Sequence, residues 1–122
     1  MMKQLIHEDR DFLLPDLLDL ASSLDPQIIF GMAFVRCNFV EPLNLFLTGR
    51  TGLKDSKIQN VDFVLVRDGI RVVNVVAFVD CHFEGCTFDR VTFFVAEGDR
   101  AKFEAGFNRP IPWLNAAPAA VH

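Results

Sequence analysis

The sequence predicts a mainly β domain: a short β-helix of about three coils, with a hairpin excursion from its body and a helix at each end. Three observations predict it. Large apolar residues recur at every fifth position, which fits neither the 3.6 of a helix nor the 2 of a strand. Thirteen Phe accompany no Tyr and one Trp, an aromatic set without polar handles that suits a dry interior. Flanking segments show helical spacing instead of five.

The period is clearest in Val73, Phe78, Phe83, Phe88 and Phe93, where Val76, Cys81, Cys86 and Val91 stand two positions before the last four. Ile29, Phe34 and Phe39 form an earlier run, with Met32 and Cys37 two before. Leu53, Ile58 and Phe63 form another, with Thr51, Ser56 and Val61 two before. A five-residue side with one large and one small inward residue builds a rectangular coil whose remaining residues face out. Stacked coils repeat at the ~4.8 Å between neighbouring strands. Large and small inward residues alternate because a narrow interior cannot hold two Phe layers side by side at crystal-like density.

The other elements follow in order. Residues 11–24 place Leu13, Leu17, Leu20, Ala21 and Leu24 at helical spacing, with Asp11 as a candidate cap and Pro15 confined to the first turn. Asp25-Pro26 ends that helix. Leu43, Leu45 and Leu47 alternate as in an ordinary strand. Arg67-Asp68-Gly69, between two β-branched runs, predicts a hairpin ribbon near 64–76. Residues 96–107 predict a second helix with Ala96, Arg100, Phe103 and Phe107 on one face, and 108–122 a tail whose Trp113 docks locally. Both helices are expected to cap the open ends of the body (27–95) within one domain, 1–122. The plainer alternative is surface helices of an α+β domain.

VAFVD, CHFEG, CTFDR and VTFFV, with MAFVR and CNFVE earlier, resemble the pentapeptide-repeat family. The resemblance covers residues 27–41, 51–65 and 71–95, with interruptions at 42–50 and 66–72. It implies a right-handed quadrilateral β-helix. Some members of the family are acidic DNA mimics that protect topoisomerases, so the resemblance brings that function as an alternative.

Charge and motifs exclude several classes. The net charge is −4, and no Lys/Arg cluster neutralises phosphates, so direct nucleic-acid binding is not expected. No run approaches the ~20 apolar residues of a membrane span, and the first residues lack a signal-type apolar stretch, giving a cytoplasmic expectation. Cys81, His82 and Cys86 suggest zinc by type, but the five-residue pattern turns both thiols inward and His82 outward; core packing is the better reading. Asp80, His82, Glu84 and Asp89 read as a solvated convex face rather than an acid–base pair. No phosphate loop or nucleophile motif is present. The expectation is therefore no catalytic, metal or cofactor site.

Outward apolar residues carry the positive clue. Phe30, Val35, Val40, Val79, Phe94 and Val95 follow inward residues and need cover, from the helices and ribbon or from another subunit. Phe30, Val35, Val40, Val79 and Phe94 are the candidate interaction surface. The leading expectation is a non-enzymatic interaction or scaffold module that meets a protein partner or self-associates as a homo-oligomer. A small-ligand binder, with His7 or His82 in a pocket under the ribbon, is the remaining alternative.

Overall fold

Left-handed backbone at short intervals bends this chain. Asp9, Gly31, Arg36, Gly49, Asp55, Asn60, Asp80, Gly85 and Arg90 all have φ between 50° and 67°. Seven of these nine are Asp, Asn or Gly, which tolerate that region best, while Arg36 and Arg90 adopt it as well. Where only four or five residues separate two corners they are too few for a stable helix and form short strands. In the computed structural model, which describes residues 5–24, 27–69, 72, 74–107 and 110–114, the chain is mainly β with two short helices.

The strands are β1 (Ile6–Glu8), β2 (Ser23–Leu24), β3 (Gln27–Phe30), β4 (Ala33–Val35), β5 (Asn38–Phe39), β6 (Leu43–Thr48), β7 (Gly52–Lys54), β8 (Lys57–Gln59) and β9 (Asp62–Val66). They continue with β10 (Val76–Val79), β11 (His82–Glu84), β12 (Thr87–Asp89) and β13 (Val91–Ala96). Three sheets result: sheet A in the order β1-β4-β11-β7, sheet B as β5-β12-β8, and sheet C as β2-β3-β10-β6-β13-β9. All described pairings between these strands are parallel except β2 with β3. From β3 to β9, and again from β10 to β13, the chain visits the sheets in the order C-A-B-C, so three separate parallel sheets stand where the expected rectangular coil would show four sides.

The stacking order departs from the chain order. Phe83 pairs with both Phe34 and Leu53, Phe88 with both Phe39 and Ile58, and Phe78 with both Ile29 and Leu47. Among the described residues, no strand of 27–66 bonds directly to another strand of that span; each is joined through β10–β13. Residues 76–96 thus lie interleaved between successive turns of 27–66, whose strands stand two spacings, ~9.6 Å, apart. This overturns the hairpin expectation. β9 and β10 do not pair; β6 and β13 lie between them in sheet C. Asp68 instead accepts a hydrogen bond from the Gly98 amide at 2.9 Å. Among the described residues of 64–76, those in strands belong to β9 and β10 of sheet C and not to a separate ribbon. Ile70, Arg71 and Val73 lie outside the described residues, as do Asp25 and Pro26 of the expected helix stop.

The inward residues fill the middle. Phe34, Phe39, Phe78, Phe83, Phe88 and Phe93 are fully buried. Phe34 stacks on Phe83, and Phe39 on Phe88, with ring centroids 5.0 and 4.9 Å apart. Rings on adjacent sides meet edge to face, as in Phe83 with Phe88. The small slots hold Cys37, Cys81 and Cys86, all buried and free. Each thiol points at a carbonyl one strand away: Cys37 Sγ at His7 O (3.4 Å), Cys81 Sγ at Ile29 O (3.6 Å) and Cys86 Sγ at Phe34 O (3.2 Å). Burial pushes the Cys37 and Cys81 thiols up from their ordinary pKa, and that of Cys86 up to about 11.

The period of five also reaches the N-terminus, where His7 and Phe12 are five apart. His7 stacks on Phe34 and Phe12 on Phe39, which closes one end of the stack. Beyond them α1 (Leu14–Leu20) packs through buried Leu17. The helix is shorter than 11–24 and uncapped by Asp11, which instead accepts from Asn38 Nδ2 at 2.7 Å. Asp16 accepts from the Leu13 amide, and Leu13 itself is exposed. At the other end a 3₁₀ turn, Glu97–Asp99, leads into α2 (Arg100–Ala105), so Ala96 ends β13 instead of starting a helix. Phe103, Phe107 and Trp113 surround Phe63, and Trp113 Nε1 donates to Glu104 Oε2 at 2.8 Å. Trp113 is docked, as its lone apolar bulk requires.

Candidate interaction surface

The three outer walls differ in chemistry. Sheet A presents the rows Ile6–Ala33–His82–Gly52 and Glu8–Val35–Glu84–Lys54. Arg36 at its corner donates to Asp9 and Glu8, and the guanidinium holds the Asp9 carboxyl below its usual range. Sheet B presents Asp11–Asn38–Thr87–Lys57, with Asp89 beside Gln59. Both walls alternate apolar, polar and charged residues, as a solvated sheet face does.

Sheet C does not. Strict alternation in its longer strands turns Leu43, Leu45, Leu47, Val91, Phe93, Val95, Phe63 and Leu65 inward, and their neighbours outward. In register, Ile28, Ala77, Phe46, Phe94 and Val64 form one outer row across five strands. Phe30, Val79 and Thr48 align across β3, β10 and β6, and Ala96 with Val66 continue that row on β13 and β9. Only Thr48 among these is polar. Phe30 is 57% exposed, and the other residues of both rows are half-buried. Asn44, Thr92 and Asp62 flank the rows on one side.

Of the residues expected to form an interaction surface, Phe30, Val79 and Phe94 come together on this wall. Val35 and Val40 do not: Val35 sits on sheet A between Glu8 and Glu84, and Val40 is half-buried near the corner after β5, its carbonyl bonded by Arg90. Val95, expected outward, is fully buried. β13 runs straight for six residues, so alternation carries Val95 to the inside with Phe93. Ile28, Phe46, Val64 and Ala77 were missed. Phe46 was readable, because it alternates with Leu45 and Leu47; the alignment of all five strands was not.

His7 is buried against Phe12 and Phe34, and His82 is exposed on sheet A. Among the described residues, no three of His, Cys, Asp and Glu stand close enough to hold a metal ion. A cleft of about 360 Å³ opens at the β9 end, lined by Ile58, Asn60, Val61, Phe63, Phe107 and the 110–112 segment. Among the described residues none that lines it is ionisable, and it lies at the opposite end of the stack from His7. Among the described residues, no helix is long and apolar enough to cross a membrane. Compared with protein-family models, with curated proteins and with solved structures, the chain matches none.

Proposed function

We propose that this chain is a non-enzymatic protein-interaction module on a pentapeptide-repeat-like β-helix, and that it docks through the outer wall of sheet C. The row Ile28–Ala77–Phe46–Phe94–Val64 carries the reading. A continuous apolar strip five strands wide is costly to leave in water, and two neighbouring walls of the same body are polar. The five-residue spacing, the left-handed corners and the cyclic visits to the sheets support the kinship with pentapeptide repeats, in a three-sided and interleaved form. Phe12 with α1 at one end, and Phe103 with Trp113 at the other, act as caps. Three free, buried thiols accord with a reducing, cytoplasmic compartment.

The DNA-mimic alternative draws less support, because the row Glu8–Val35–Glu84–Lys54 breaks the acidic surface such mimicry needs. An enzyme draws none from His82 and Glu84, which lie on a solvated wall. A photo-crosslinking phenylalanine analogue, placed in cells at Phe46 or Phe94 and in parallel at Glu84 or Gln59, tests the reading. Protein-sized adducts are expected from positions 46 and 94 and not from 84 or 59. Equal adducts from every wall, or none from 46 and 94, would count against it.

A further inference from the structure

The geometry points to a second copy of this chain as the occupant of the sheet C wall, docked face to face about a two-fold axis. This rests on the docking reading above and names its partner. Charge is the first reason. Each copy carries a net −4, so like copies repel wherever their charged walls meet. The two rows of sheet C contain no ionisable group and present the one wall where that repulsion is weakest. A partner of opposite charge would find nothing on these rows to read.

Shape is the second reason. β6 is the third of the five parallel strands of sheet C, with β10 and β3 on one side and β13 and β9 on the other. A two-fold axis along β6 brings β10 of one copy over β13 of the other. Ala77 then faces Phe94, and Val79 faces Ala96. At the margins Ile28 faces Val64, and Phe30 faces Val66. Small residues meet large ones in both rows, and the two Phe46 side chains meet near the axis. A contact of this kind is self-complementary, as an isologous interface must be. The axis also keeps the strands of the two sheets aligned, which is one of the two ways in which sheets pack.

Area sets the strength of the contact. Five strands at ~4.8 Å, up to six residues long at ~3.3 Å per residue, span roughly 24 by 20 Å in projection. That is about 480 Å² per copy, below the ~800 Å² of a standard interface, so the dimer is expected to be a weak one that forms in the micromolar range.

Sedimentation velocity of the purified full chain, from low micromolar to high micromolar, tests the assignment. Wild type is expected to reach twice the chain mass. Phe94→Glu should raise the dimer dissociation constant at least about 30-fold, the threshold of a hot spot. Thr48→Lys, outward on the same wall, should do likewise, and it keeps the test valid if Phe94→Glu unfolds. Glu84→Lys, on sheet A, should leave the dimer intact. Ala77→Phe alone should weaken the dimer, and Ala77→Phe with Phe94→Ala should restore it, because the swap exchanges large and small across the axis. A strictly monomeric wild type overturns the second copy, and so does a dimer indifferent to both Phe94→Glu and Thr48→Lys. If the monomer result accompanies cellular crosslinks from position 94 to another protein, the docking wall stands and only its partner is wrong.

Discussion

The rings of Phe34 and Phe83 lie 5.0 Å apart and 11° from parallel, although Phe83 belongs to the interleaved segment and Phe34 to the span it fills. Phe83 also meets Phe39, Phe78 and Phe88 edge to face. It is therefore the residue through which three sides of the interior touch. Phe83→Ala should cost about 3–5 kcal/mol, a large part of a small domain's stability. Glu84→Ala, one position on and exposed, should stay within about 0.5 kcal/mol. Urea unfolding of the two variants checks this, and equal midpoints would refute the inward assignment.

The interleaving predicts how the chain behaves when cut. Residues 27–66 have no described strand pairing among themselves, so residues 76–96 hold their turns together. A protease site inserted after Gly69, once cleaved, should leave the two pieces associated and the circular dichroism unchanged. They should separate only in denaturant. Separation in native buffer would show that 27–66 and 76–96 stack as independent blocks. Because these hydrogen bonds are long-range, refolding should also be slow for a domain of this length.

The thiols give a third expectation. Cys37, Cys81 and Cys86 are buried and their pKa values raised, that of Cys86 to about 11, which withholds the reactive thiolate at neutral pH. Native protein should react slowly with thiol reagents, and unfolded protein fast. Cys81→Ala should be tolerated at modest cost, whereas Cys81→Leu should hurt more by overfilling the slot. Fast labelling of all three thiols in the native state would contradict the inward geometry.

Acid should loosen the strap formed by residues 110–114. Trp113 Nε1 and then Arg100 hold the Glu104 carboxyl below its usual pKa. The contribution of that contact is therefore complete above the unfolded pKa of about 4.3 and fades as pH falls through the lower folded value. Trp113 fluorescence should be constant from pH 7 to about 5 and shift red below about 4. Glu104→Gln should remove this acid step. A Trp113 transition near pH 6 would assign the strap to another group.

The interior was legible because its signal is local. Five-residue spacing identified Phe34, Phe39, Phe83 and Phe88, and the same spacing could have identified His7 and Phe12, had the run been traced to the N-terminus. The hairpin at Arg67-Asp68-Gly69 was misread because a turn signature tells where the chain bends and not which strand it next joins. Interleaving is a choice among long-range pairings that all present the same inward residues, so no local pattern encodes it. The apolar wall of sheet C was half legible for the same reason. Phe30, Val79 and Phe94 show outward parity in the sequence, but only the register of sheet C puts Ile28, Phe46 and Val64 beside them and leaves Val35 on a charged wall.

Carbene footprinting of the purified chain, read residue by residue by mass spectrometry at low and at high protein concentration, tests most directly whether sheet C is the working surface. Phe30, Phe46, Val79 and Phe94 should be labelled in dilute protein and protected as concentration rises, while Ile6, Val35 and Glu84 on sheet A keep their labelling throughout. Protection that appears on sheet A instead, or labelling of Phe46 and Phe94 that does not change with concentration, would contradict the account.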